Sequence, residues 1–344
     1  MRYAVWLVRL IYVAWMIPAG LNHFIRLYPQ PLGNEPLSIG VFTALLDSGM
    51  FTLVKAVELL AGLALLLGIR IPLALVAVLP VSFTVWYWDT ELQGWWTPSA
   101  IYGWAVMGCN LFLLYAYRAH YLRLLEGYAP PRLGPLPEGG LAVLRMLLGA
   151  VLLMTGIAWF LPALLPFVPA QGWNDPMAIR LEAQFAASGL LGVAKFIHVV
   201  AGLALLLDRA VPFVLAAAMP VNVCGAFIAV LIERALPGAV LALSLLALHV
   251  LLMFAYLPAY AAMLAKGALA DGEGPAAGEN YESLYARPGT GAPADLCLVA
   301  AAPLALAALF YWFVVLGFNS VTGLVVLAFP ALMLAANAMR APRG

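Results

Sequence analysis

An all-α polytopic transmembrane protein of about ten spans is the fold this sequence predicts, and three observations predict it. Of its 344 residues 65% are hydrophobic and only 10% charged, with a mean hydropathy of +0.99. Soluble chains carry about a quarter charged residues, so the apolar surplus has to face lipid. The apolar residues fall in long continuous runs near the ~20 residues a bilayer-crossing helix needs, not in the alternating pattern of a transmembrane barrel. Finally, the first four runs recur in order, with recognisable sequence, in the next four. The formal net charge of +1 without a basic block excludes a nucleic-acid binder and a peripheral protein held by a polybasic patch.

The spans follow in order. The first, 4–22, opens after Arg2 and looks superficially like a signal peptide; an equivalent segment recurs at 141–160, so it is read as a retained span. The second, 50–68, carries Lys55 and Glu58. The third, 71–88, has Pro72 in its first turn, where the missing N–H costs nothing, and Pro80 two turns later, which frees the Val76 carbonyl and predicts a kink. The fourth, 98–118, carries Asn110. Spans at 141–162, 189–207, 211–231 and 236–258 repeat this order with Lys195, His198, Pro212, Pro220 and His249. A Gly-, Ala- and Pro-rich stretch at 265–294 reads as a cytoplasmic linker, and 296–316 with 319–339 as a hairpin around GFNSVTG.

Lys and Arg set the orientation. Arg2, Arg70, Arg118, Arg123, Arg132, Arg209, Lys266, Arg287, Arg340 and Arg343 share the side of both termini, against Arg26, Arg180 and Arg234 opposite. The positive-inside rule puts that side in the cytoplasm, which predicts a multi-pass protein with cytoplasmic termini and the lipid bilayer as its first partner. Trp86, Tyr87, Trp88, Trp95, Trp96, Tyr102 and Trp104 form the expected outer aromatic belt.

The repeat is explicit. KAVELLAGLALLLGIRIPLALVAVLPV at Lys55–Val81 aligns with KFIHVVAGLALLLDRAVPFVLAAAMPV at Lys195–Val221, with thirteen of 27 positions identical. A shared apolar bias does not put a lysine and two prolines in register. Arg9, Gly20 and Phe24 correspond to Arg145, Gly156 and Phe160, and NLFLLYAY at Asn110 to HVLLMFAY at His249. The chain therefore divides into four-helix units at 1–130 and 137–264, a linker at 265–294 and a hairpin at 295–344. Because four is even, the units are parallel repeats related by an axis along the membrane normal.

Ionisable groups inside a membrane are costly and point to function. Lys55 and Glu58, three apart, can pair, and Lys55 and Lys195 can also snorkel to the outer interface. Glu58 and His198 lie about 12 Å below that interface at the helical rise. The fourth spans offer Asn110 and His249. One unit has Glu with Asn, the other His with His, and the simplest account is that the two positions touch. Three roles compete: hydrogen bonds that hold the bundle together, a proton-carrying pocket for a quinone or other amphipathic ligand, or bis-imidazole ligation of haem or copper by His198 and His249. The last is least favoured, since no further His lies at suitable depth and no metal motif is present. The outer rim adds Asn22, His23, Asp89, Asn222 and Glu233; Asn222 follows the Pro220 kink and can supply an amide to a freed carbonyl. Cys109, Cys224 and Cys297 form no C-x-x-C, against a dithiol mechanism.

AGLNHFIRLYPQP followed by the second- and third-span sequence resembles the DoxX family of bacterial four-helix membrane proteins, through Gly20, Asn22, His23, Phe24, Glu58 and Gly62. The second unit keeps Gly156, Phe160, Lys195 and Gly202 but has Ala158, Trp159 and His198 where the family pattern has Asn, His and Glu. The resemblance implies a redox-associated membrane subunit with a quinone-like site, working beside a separate soluble redox subunit. A small-molecule transporter or permease and a non-catalytic membrane scaffold are the rival classes. No nucleophile constellation or phosphate loop is present, and whether the chain is itself an enzyme stays open.

Overall fold

The computed structural model describes residues 2–125, 131, 133, 138–165 and 172–265. The expected linker beyond Ala265 and the hairpin at 295–344 lie outside these residues. The described residues are helical, without a strand among them. Seven helices are long and apolar enough to cross a membrane, and an eighth counts if the bent pair before the sixth span is taken as one. The chain is an integral, multi-pass helical membrane protein.

The chain clusters into two units. The first takes in Met1–Arg123 and Arg180–Gly189, the second Leu124–Ile179 and Leu190–Ala259. In the first unit α1 (Arg2–Ile25), α3 (Met50–Leu67), α4 (Ile71–Tyr87) and α5 (Pro98–Ala116) form a ring in which α1 packs on α3, α3 on α4, α4 on α5 and α5 back on α1. In the second, α6 (Glu138–Phe160), α8 (Leu190–Leu206), α9 (Val211–Phe227) and α10 (Leu236–Ala255) close in the same order. The first ring buries Tyr12, Met16, Leu65, Leu75, Val78 and Leu113 at its centre. Its outer face keeps Leu60, Leu67 and Ile101 exposed, as lipid requires.

Two features were not anticipated. A short helix precedes the second span of each unit: α2 (Pro36–Asp47) and α7 (Pro176–Ala187). Both start on a proline at the first turn. Both run into Ser-Gly, where Gly49 (φ 75°) and Gly189 (φ 81°) take the left-handed conformation that glycine adopts without a Cβ penalty. A Cβ at Gly189 would stand 2.7 Å from the Tyr87 hydroxyl, which donates to the Ser188 carbonyl at 2.7 Å. Arg180 on α7 pairs with Asp47 on α2 at 3.0 Å in the first unit. Each sequence repeat thus carries, in chain order, one short helix ahead of its second span.

The second feature is a π-helical turn at the end of the proline-bearing span in both units, Trp88–Leu92 and Ile228–Glu233. Just past the first of these turns, Gln93 accepts from the Asn34 amide at 3.0 Å. The repeat-equivalent Glu233 accepts from the Asn174 amide at 2.9 Å and the Asp175 amide at 2.9 Å. The same latch therefore ties the start of each short helix to the end of the third span.

Candidate functional site

In the first unit the polar residues converge inside the ring. The Lys55 ammonium donates to Glu58 Oε2 at 2.6 Å, with Lys55 8% and Glu58 0% exposed. Lys55 therefore does not snorkel; it turns inward to the carboxylate, because burying either charge alone would cost several kcal/mol. Asn110, also 0% exposed, donates its amide to the Tyr12 hydroxyl at 3.0 Å and to the Leu75 carbonyl at 3.3 Å. Tyr12 and Ser82 share a hydroxyl–hydroxyl bond of 2.5 Å, and Ser82 donates to the Val78 carbonyl. Two buried acceptors in this cluster have no hydrogen-bond partner: Glu58 Oε1 and Asn110 Oδ1.

The second unit solves the same register with other residues. His249 Nε2 donates to the Leu215 carbonyl at 2.8 Å, and its Nδ1 accepts from the Asn222 amide at 2.7 Å. Leu215 is the repeat equivalent of Leu75, and Asn222 that of Ser82. In the first unit Ser82 bonds Tyr12, which accepts from Asn110 of the fourth span; in the second Leu148 stands at the repeat position of Tyr12, and Asn222 bonds His249 directly. His198 Nδ1 lies 3.4 Å from the Thr155 hydroxyl, which itself donates to the Leu152 carbonyl. Asn222 is the other polar side chain acting on the His198 ring.

Several expectations change. Glu58 does not bond Asn110, and His198 does not bond His249: Asn110 bonds Tyr12, and His249 bonds Asn222. Asn222 is not a rim residue: it lies in the middle of the span Val211–Glu233. It serves His249 and not the carbonyl freed by Pro220. The third-span carbonyls that receive donors from the fourth spans are those of Leu75 and Leu215, one residue before the expected ones, and the donors are Asn110 and His249. Both ring nitrogens of His249 are engaged, so ligation of a haem or copper by it would first break two buried hydrogen bonds. Among the described residues no group of three His, Cys, Asp or Glu is arranged to hold a metal. Lys195 is only partly buried and acts on His198 electrostatically.

At the rim, Asn22 ties down the turn after α1, accepting from the Tyr28 amide at 2.7 Å and donating to Gln30 at 3.1 Å. His23 bonds the Thr52 hydroxyl at 2.9 Å and packs edge-on against Phe24 and Phe51. Glu233 is fully occupied by the latch and by the Asn174 side chain at 3.0 Å, so its role is structural. Asp89 differs from these. It sits on the π-helical turn, 2% exposed, with Oδ1 bonded by Ser99 and Oδ2 without a partner. A Cβ on Gly103 would come 2.7 Å from the Asp89 Cβ, so glycine there lets α5 close over it. Trp86, Trp95 and Trp104 cluster beside it with centroids 5.2–6.1 Å apart.

Sequence reasoning missed Tyr12, Ser82 and Thr155. Ser82 was within reach of it, since it aligns with Asn222 one residue past the identical Pro-Val that ends the matched block. Tyr12 was not, because its partner in the repeat is Leu148 and the pattern there is simply apolar.

Comparison with known proteins brings no match: no family model, no curated protein and no solved structure aligns with the chain.

Proposed function

We propose that the chain is a duplicated, DoxX-like protein of the bacterial inner membrane with cytoplasmic termini, a redox-associated subunit whose first unit binds a quinone-like or other amphipathic ligand beside Glu58. A separate soluble subunit supplies the redox chemistry, and this chain manages the proton. The observation that carries the reading is that the buried Glu58 Oε1 has no hydrogen-bond partner inside the first ring. An unsatisfied buried acceptor costs on the order of 1–3 kcal/mol, and a hydroxyl-bearing ligand such as a quinol removes that cost by donating to it. Glu58 then takes the proton, and Lys55 at 2.6 Å holds the carboxylate charged until it does. The resemblance at Gly20, Asn22, His23, Phe24, Glu58 and Gly62 supports placing the activity in the first unit, where that pattern is complete.

A specific observation favours a second reading for the second unit. His249 has both nitrogens satisfied, which is the arrangement of a residue that holds helices together and has no free valence for a ligand.

Titration of a short-chain quinone and its quinol into the purified protein, followed by tryptophan quenching, tests the proposal. Saturable quinol binding that weakens at least about ten-fold, roughly 1.4 kcal/mol, in Glu58→Gln and in the charge-free pair Lys55→Met/Glu58→Gln is expected. Absence of saturable binding in the wild type, or equal affinity in both folded variants, refutes it.

A further inference from the structure

Beyond the Glu58 site, we propose that the first unit binds the phosphate group of a membrane lipid beside Arg9, in the space that Gly68 leaves open. This second site is independent of what Glu58 binds.

Each unit carries an arginine early in its first span, Arg9 at 8% and Arg145 at 4% exposure. A guanidinium keeps its charge, so burying it without an anion is costly. The second unit supplies that anion from its own chain: Arg145 Nη1 donates to the carboxylate of Asp208, in the turn after α8. The first unit has no such pair, since among the described residues no carboxylate bonds Arg9. Its guanidinium lies 4.1 Å from the centroid of the Trp6 ring and acts on the Tyr117 hydroxyl, neither of which carries a negative charge. The repeat equivalent of Asp208 is Gly68.

The helices that carry these residues share one register in the two units. A Cβ on Gly20 would stand 3.0 Å from the Leu59 nitrogen, and one on Gly156 2.9 Å from the Val199 nitrogen. A Cβ on Gly62 would stand 3.6 Å from the Ile17 nitrogen, and one on Gly202 2.5 Å from the Leu153 nitrogen. Each pair of contacts joins repeat-equivalent residues, so α1 crosses α3 as α6 crosses α8. Arg9 stands eight residues before Ile17 and Gly68 six after Gly62, the same spacings that bring Arg145 to Asp208. The turns match as well. Gly68 (φ 72°) and Asp208 (φ 56°) are both left-handed, and the amides of Ile69 and Arg209 return to the carbonyls of Ala64 and Ala204, each at 2.9 Å. Only the side chain differs: a Cβ on Gly68 would meet nothing within 4 Å, so the place of the Asp208 carboxylate is open in the first unit.

Charge and surroundings name the anion. Gly68-Ile69-Arg70 carries one positive charge and no acid where Asp208-Arg209-Ala210 is neutral, and Arg70 is exposed. At the same ends of α1 and α3, Trp6, Leu7, Leu66 and Leu67 are exposed, an apolar surface on which acyl chains can lie. A guanidinium fork matches two phosphate oxygens, and basic pockets between transmembrane helices take phospholipid head groups. The phosphate accepts from Arg9 as the Asp208 carboxylate accepts from Arg145.

Native mass spectrometry of the full chain in a non-ionic detergent, titrated with dioleoyl phosphatidylglycerol and with dioleoylglycerol, tests the site. Wild type is expected to bind one phosphatidylglycerol, and dioleoylglycerol at least about ten-fold more weakly. Gly68→Asp, which installs the second unit's carboxylate, and Arg9→Gln, which removes the cation, should each bring phosphatidylglycerol down to the level of dioleoylglycerol. Gly68→Asp should do so without lowering the melting temperature, which a general structural defect does not allow, and Arg9→Gln decides the matter if Gly68→Asp does not fold. Asp208→Gly should open the equivalent place beside Arg145, so that two phosphatidylglycerols bind. Equal wild-type affinity for the two lipids, unchanged phosphatidylglycerol affinity in folded Gly68→Asp or Arg9→Gln, or a folded Asp208→Gly still limited to one lipid overturns the proposal. Inorganic phosphate that occupies the site as tightly as the lipid overturns the lipid as its source.

Discussion

Removal of the Tyr12 hydroxyl is the perturbation that most sharply tests the two alternative networks. Tyr12→Phe keeps the ring stacked on Trp15 and deletes two buried bonds, to Ser82 at 2.5 Å and from Asn110 at 3.0 Å. Side-chain hydrogen bonds between membrane helices are worth on average about 0.6 kcal/mol and at most about 1.7, so the two together set the expected loss at about 1–3 kcal/mol. Asn110 keeps the Leu75 carbonyl and Ser82 keeps the Val78 carbonyl, which holds the loss below the cost of fully orphaned groups. The second unit shows the compensation. The triple variant Tyr12→Leu/Ser82→Asn/Asn110→His installs its arrangement in the first, and an asparagine–histidine bond replaces the tyrosine bridge. Stability measured by denaturant titration in mixed micelles should fall for Tyr12→Phe, and the triple variant should recover at least half of what Tyr12→Leu/Asn110→His loses. A Tyr12→Phe variant as stable as wild type, or a triple variant no better than the double, would refute the bridging account.

Other consequences follow from the same geometry. Lys55→Met leaves Glu58 buried and unpaired, so it should cost about 3–5 kcal/mol, whereas Lys55→Met/Glu58→Leu, which removes both charges, should lie much nearer wild type; thermal denaturation of the three proteins checks the order. Gly202→Ala places a Cβ 2.5 Å from the Leu153 backbone nitrogen and 2.7 Å from the Gly149 carbonyl oxygen, which forces α6 and α8 apart. It should cost about 1–3 kcal/mol, while Gly108→Ala, which meets nothing within 4 Å, should be neutral or better. Burial holds the His120 imidazole below its ordinary value of about 6.5. Its stabilising contribution is therefore complete above that pH and declines as pH falls toward the lowered folded value. The melting temperature should drop less steeply between pH 7.5 and 5 in His120→Gln than in wild type, and equal slopes would contradict this.

The spans were legible because lipid imposes a length and a polarity that composition alone reveals, and the duplication was legible because Lys55/Lys195, Pro72/Pro212 and Pro80/Pro220 cannot align by apolar bias. The short helices were overlooked, although an acid followed by Pro36 or Pro176 and a closing Ser-Gly bracket them in both copies. Their twelve residues are too short for a hydropathy window and read as loop. The site was only half legible. Charge at membrane depth singled out Lys55, Glu58, His198 and His249, because lipid makes such groups costly. The hydroxyls of Tyr12, Ser82 and Thr155 cost little in a sequence scan, and which of them bridges depends on what stands across the ring. Asn222 was misplaced for a related reason: proximity to a proline suggested the kink as its partner, whereas the neighbouring helix presents His249 at 2.7 Å.

The central claim is that Glu58 Oε1 faces a ligand inside the first four-helix ring. An experimental density map of the purified full chain with a short-chain quinol bound addresses it most directly. The account expects density for the head group within hydrogen-bond distance of Glu58 Oε1, with the Lys55–Glu58 pair retained. A map in which Glu58 Oε1 is satisfied by a protein donor and the ring interior is filled by side chains alone would contradict it.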